Sequence, residues 1–81
     1  MLKIGKESKL TPGEAVKKAI EFFGPKGYGL ELTEEGDYYV TFTGAGGGVQ
    51  VSATPSKKGS SVDVESVEWD YLAKQFLEKI K

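Results

Sequence analysis

The chain has 81 residues, 38% hydrophobic and 28% charged, with a formal net charge of −1 and no cysteine. That length leaves room for one hydrophobic core and hence one domain over residues 1–81, the composition excludes disordered and fibrous classes, and the missing cysteine excludes disulfide stapling and thiolate zinc sites. All eleven cations are lysine, and Arg, His and Asn are absent, which removes bidentate recognition of phosphate and the commonest general acid/base near neutral pH.

Without an overall positive field, nucleic acid and anionic membranes are disfavoured as partners. Apolar runs are only a few residues long, and the start of the chain lacks the apolar core of a signal peptide, so the cytoplasm is the expected location. Poverty in thermolabile residues, with no Asn or Cys and one Met, matches a thermophile composition.

Residues 1–10 read as a tail or, through Leu2-Lys3-Ile4, a short edge strand. Thr11-Pro12-Gly13-Glu14 is a capping box with proline at the first helical position. Val16, Ala19, Ile20 and Phe23 then recur at helical spacing, which predicts a helix over 12–23 that Gly24 and Pro25 end. From Tyr28 the period becomes two. Alternation predicts strands over 28–33, 37–43, 49–54 and 61–66, separated by Glu35-Gly36-Asp37, by the glycine loop at 44–48 and by Pro55-Ser56-Lys57-Lys58-Gly59. Trp69, Leu72, Ala73, Phe76 and Ile80 return to helical spacing, with Leu77 widening the stripe, and predict a helix over 68–80 with Ser66 as a candidate cap.

The expected fold is α+β in α-β-β-β-β-α order. Loops this short force a four-stranded antiparallel meander, and both helices pack on one face of it as a two-layer sandwich. The apolar face is assigned Leu30, Leu32, Tyr38, Val40, Phe42, Val49, Val51, Val62 and Val64. The opposite face, open to water, carries Glu31, Thr33, Tyr39, Thr41, Thr43, Gln50, Ser52, Thr54, Asp63 and Glu65. The order resembles that of a half-repeat of the TATA-binding-protein type, a likeness of architecture across most of the chain that carries over no motif residue and no function.

Four stretches are candidates for chemistry. Gly46, Gly47 and Gly48 offer backbone amides to an anion, but they lead into a strand where phosphate loops lead into a helix, and a hairpin turn or bulge explains them as well. Lys26-Gly27-Tyr28-Gly29 overlaps the start of the RNA-recognition signature, yet the later stacking aromatics are Leu30 and Thr33. Asp63 and Glu65 stand two residues apart on one strand face, about 6.6 Å by strand rise, a spacing that can hold a hard cation or run acid/base chemistry, though acidic residues on an exposed strand are expected for solubility alone. Tyr39 is the large aromatic on the open face, beside Thr41, Gln50 and Ser52, in a setting suited to an interface.

The expected function is therefore a small non-enzymatic interaction module. It uses the open face around Tyr39, Thr41, Gln50 and Ser52 to take a protein partner or a second copy. The alternative is a small-ligand, divalent-metal or enzymatic domain with its site between Gly46, Gly47, Gly48 and the carboxylates of Asp63 and Glu65. No catalytic residue, no cofactor and no metal-ligand set is assigned.

Overall fold

The computed structural model describes residues 2–44 and 46–80. Its elements are β1 (Leu2–Ser8), α1 (Pro12–Phe23), β2 (Glu31–Glu35), β3 (Tyr39–Gly44), β4 (Gly47–Pro55), β5 (Ser60–Val67) and α2 (Asp70–Lys79). The five strands form one sheet in the order β1-β5-β4-β3-β2, with every neighbouring pair antiparallel. The fold is thus a small α+β domain, and the expected meander is β2 to β5. The sheet has five strands where the meander has four: of the two readings of residues 1–10 the edge strand holds, and it runs beyond Leu2-Lys3-Ile4 to cover Leu2–Ser8 on the free edge of β5.

β1 hides from a periodicity search because two of its inward positions are polar. Leu2, Ile4, Lys6 and Ser8 face the helices, and Lys3, Gly5 and Glu7 face water. Lys6 runs its stem along the core and sets its ammonium 3.6 Å from Glu78 of α2. Ser8 is fully buried, donates its hydroxyl to the carbonyl of Ile80 at 2.5 Å and accepts from the amide of Leu10 at 3.1 Å. One side chain thereby ties the edge strand to the end of the last helix.

α1 occupies the expected residues because its start is chemically determined. The Thr11 hydroxyl accepts from the Glu14 amide at 3.3 Å, and the Glu14 carboxylate accepts from the Thr11 amide at 3.1 Å. The Thr11 bonds, backbone first, hold the Glu14 carboxyl below its usual range. Since β1 and β2 are opposite edges, α1 carries the chain across the sheet and packs on β3, β4 and β5, leaving β1 and β5 to α2. The shared core comprises Ala15, Val16, Ala19 and Phe23 of α1, Leu72, Ala73, Phe76 and Leu77 of α2, and the inward residues of β3, β4 and β5.

Two assignments to the apolar face fail, at the end of the sheet α1 does not cover. Leu32 is 37% exposed and Tyr38 52% exposed. The chain from 24 to 30 is a hydrogen-bonded turn and not the start of a strand: the amides of Gly27 and Gly29 reach the Gly24 carbonyl, Tyr28 reaches Phe22, and Leu30 reaches Phe23. Leu30 is buried from that turn, and β2 then runs out past the helix with all five of its residues exposed.

α2 starts two residues later than expected. Ser66 is buried in β5 and accepts from the Trp69 amide at 3.2 Å, so it closes the strand-to-helix turn while the N-cap position falls to Trp69. Within that turn Glu68 holds φ at +69°, a left-handed conformation that strains any residue with a Cβ. Glu68→Gly is expected to raise unfolding free energy by about 1 kcal/mol in denaturant titrations. Ser8→Ala, which orphans the Leu10 amide and the Ile80 carbonyl together, is expected to lower it by about 1–3 kcal/mol and to speed amide exchange in β1.

Candidate functional site

Strand register decides which of the expected site residues meet. Tyr39 stands opposite Ser52, and Thr41 opposite Gln50, on the face away from the helices. The next strand continues both rows, with Asp63 beside Ser52 and Glu65 beside Gln50. β1 completes them, with Gly5 beside Asp63 and Lys3 beside Glu65. Tyr39, Thr41, Gln50 and Ser52 thus form two adjacent cross-strand pairs, close enough to act as one surface.

Charge on this face is lopsided. Lys3 lies 3.3 Å from Glu65, and among the described strand positions of this face its ammonium stands against the carboxylates of Glu7, Glu31, Glu34, Asp63 and Glu65. Between them lie Thr41, Thr43, Ser52, Thr54 and Ser61, giving an acidic surface dense in hydroxyls. Among the described residues no group of three or more carboxylates converges as metal ligands would.

Tyr39 is not a free-standing aromatic. Its hydroxyl donates to Glu34 at 2.6 Å, and its ring passes so close over Gly36 that a Cβ there would collide with it. The tyrosine is folded back over the β2–β3 turn, where a bulge between Leu32 and Glu34 turns Glu34 toward it. Thr33, left unpaired by the bulge, donates its hydroxyl to the Thr41 carbonyl at 3.2 Å.

The glycine run is a hairpin with two strand positions after it. Gly44 pairs with Gly47, and Gly46 holds φ at +82°, as a tight turn requires. Ala45 lies outside the described residues. Gly47 and Gly48 belong to β4 and spend their backbone groups on the ladder. What Gly48 contributes is missing bulk: it lies in a shallow hollow of about 420 Å³ bordered by Thr41, Thr43, Gln50, Glu65 and Val67. A second hollow of similar volume surrounds Gly5, with Ser52, Asp63 and Lys3 at its border. Glu65 borders both hollows, beside Gly48 in the first and Gly5 in the second, whereas Asp63 borders the second and Gly46 neither.

Lys26-Gly27-Tyr28-Gly29 lies in the turn after α1 and off the sheet, so Tyr28 cannot stack a base there. Its ring packs 5.1 Å from Phe22, and its hydroxyl donates to Gln75. The groove there, about 620 Å³ between the two helices, has Phe22, Tyr28 and Phe76 as its aromatic lining and Lys18, Glu21 and Lys79 among its polar residues. Sequence reasoning did not assign this groove. Its one linear signal is Phe22, an aromatic just off the α1 stripe.

No family model, no curated protein and no solved structure matches the chain. No helix of the described residues is long and apolar enough to cross a membrane.

The Tyr39–Glu34 pair has a pH signature. The hydrogen bond from Tyr39 to Glu34, and then the Glu34 charge itself, push the phenol above its ordinary range. A raised folded-state value favours the neutral phenol, so this contribution to stability is complete below the unfolded tyrosine value and is lost as pH rises through the folded one. In an NMR titration Tyr39 is expected to ionise above the ordinary tyrosine range, and Glu34→Gln is expected to bring it most of the way back.

Proposed function

We propose that this chain is a non-enzymatic interaction module whose open sheet face binds a lysine-bearing segment of a protein partner. The observation that carries the reading is the in-register array of Tyr39, Thr41, Gln50 and Ser52, flanked by Asp63 and Glu65. Hydroxyls and an amide at fixed strand spacing supply directional hydrogen bonding, and the surrounding carboxylates supply a field that draws cations. Val67, 43% exposed beside the Gly48 hollow, adds an apolar contact for the stem of an incoming lysine.

The sign of the charge also selects among partners. A second copy laid face to face would bring carboxylates against carboxylates, and a nucleic-acid backbone would be repelled, whereas a basic peptide gains on both counts. A small cationic ligand in the Gly48 hollow is the second reading, favoured by the position of Glu65 at its border.

The test is an NMR titration of the ¹⁵N-labelled chain with a lysine-rich peptide, a glutamate-rich peptide of the same length, and magnesium or calcium chloride. The lysine-rich peptide is expected to shift Thr41, Gln50, Ser52 and Asp63, to bind less tightly as salt rises, and to lose about tenfold in affinity with Gln50→Lys. Shifts that avoid the open face, or equal responses to the two peptides, would refute the proposal. Metal-induced shifts confined to Glu65 and Gly48 would transfer it to the second reading.

A further inference from the structure

The two edges of the sheet are built differently, and the difference points to a partner. β2 is a guarded edge: it is short, interrupted by a bulge, and carries Glu31, Glu34 and Glu35 in five residues. Charges and bulges of this kind stop a strand from templating another. β1 has seven residues, pairs with β5 without a register shift, and shows its outer side to solvent. It is a regular edge with free hydrogen-bonding capacity.

We infer that β1 pairs with β1 of a second copy of this chain, antiparallel about a two-fold axis through Gly5. Such an axis, normal to the sheet, places residue n opposite residue 10 − n, which keeps inward residues opposite inward ones and outward opposite outward. Lys3 then faces Glu7 of the second copy on the open side, and Glu7 faces its Lys3, so the interface contains two opposed charge pairs by symmetry. On the helix side Ile4 meets the stem of Lys6, while Leu2 meets Ser8. At the axis stands Gly5, with no side chain to crowd its counterpart.

Registers centred elsewhere do worse. An axis at Lys6 sets two ammonium groups against each other. An axis at Ile4 leaves Glu7 and Ser8 unpaired and opposes Lys3 with a glycine. The Gly5 register alone pairs all seven residues and satisfies the charges. It also extends bonds already present: Lys3 is held 3.3 Å from Glu65, and Glu7 accepts from Ser56 at 2.7 Å, so each new pair joins a chain running Glu65, Lys3, Glu7, Ser56 across the seam. The product is a ten-stranded sheet with both helix layers on one side and a doubled acidic face on the other. This inference does not depend on what binds that face.

Sedimentation velocity on the full chain, from about 1 μM to about 1 mM protein, reads the association directly. A monomer–dimer equilibrium is expected. Lys3→Glu and Glu7→Lys each convert both opposed pairs to like charges and are expected to weaken the dimer about tenfold, while the exchanged double variant K3E/E7K is expected to return it to within about threefold of the parent. Circular dichroism on each variant checks that the monomer is folded, and amide exchange should slow in β1 and not in β2 as concentration rises. A chain that stays monomeric throughout overturns the inference. So does a dimer that ignores both single variants and responds to Thr41→Lys, which would place self-association on the open face, and so do open-ended filaments, which would mean β1 pairing with β2.

Discussion

Phe23 lies 5.5 Å from Phe42 of β3, 5.3 Å from Phe76 of α2 and 4.9 Å from its own neighbour Phe22. Its ring is fully buried at the point where both helices and the sheet meet. A chain of this length has a single small core, and this aromatic junction is what makes one body of three layers of contact: helix on sheet, helix on helix, and the returning turn at Leu30 tucked beneath. Buried aromatic pairs contribute beyond their area through edge and offset geometry. Removing the Phe23 ring would open a cavity between α1, α2 and β3, a loss of about 3–5 kcal/mol in comparable cores.

Because that junction draws both helices to the same side, the opposite side of the sheet is left to solvent. The alternation of β3, β4 and β5 follows from this: Val40, Phe42, Val49, Val51, Val62 and Val64 point in, and every second residue is free to be polar. The acidic hydroxyl-rich face is thus a by-product of how the core closes, and its chemistry is open to selection without cost to packing. Tyr39 shows how that freedom is bounded. Its ring and hydroxyl are engaged by Gly36 and Glu34, so the residue that looked from sequence like an interface anchor also stiffens the β2–β3 corner.

What was legible in the sequence divides along physical lines. α1 was readable to the residue because capping is local chemistry: Thr11, Pro12 and Glu14 specify a helix start with no help from the rest of the fold. Strands β3, β4 and β5 were readable because each is buried on one face, which forces period two. β1 was readable only as an alternative, through Leu2-Lys3-Ile4, since Lys6 and Ser8 take inward positions and draw on Glu78 and the Ile80 carbonyl, 72 residues further along the chain. The Tyr28, Leu30, Leu32 alternation misled for the converse reason: three apolar residues at strand spacing are held by a turn, a core and open solvent in succession. The pairs of the open face were readable to the extent that strand faces were, but their register was not, because it depends on which glycines close the ladder, Gly44 against Gly47.

The glycines carry the same lesson into the surface. Gly5 and Gly48 sit on the open face of an antiparallel sheet, where a glycine weakens a strand by entropy and leaves its neighbours without a packing partner. Neither shows positive φ, so backbone conformation does not demand them, and Gly48 is further restricted by the nearby Phe42 carbonyl. Gly5 meets only the tip of Asp63 and the Val62 carbonyl, a restraint that a shift of one carboxylate would relieve on the near side. A small residue in the middle of an edge strand is best explained by something approaching that strand closely. The absent side chain and the Lys3 and Glu7 charges placed symmetrically about it point to the same edge, which is why the self-complementarity of β1 weighs more than either feature alone.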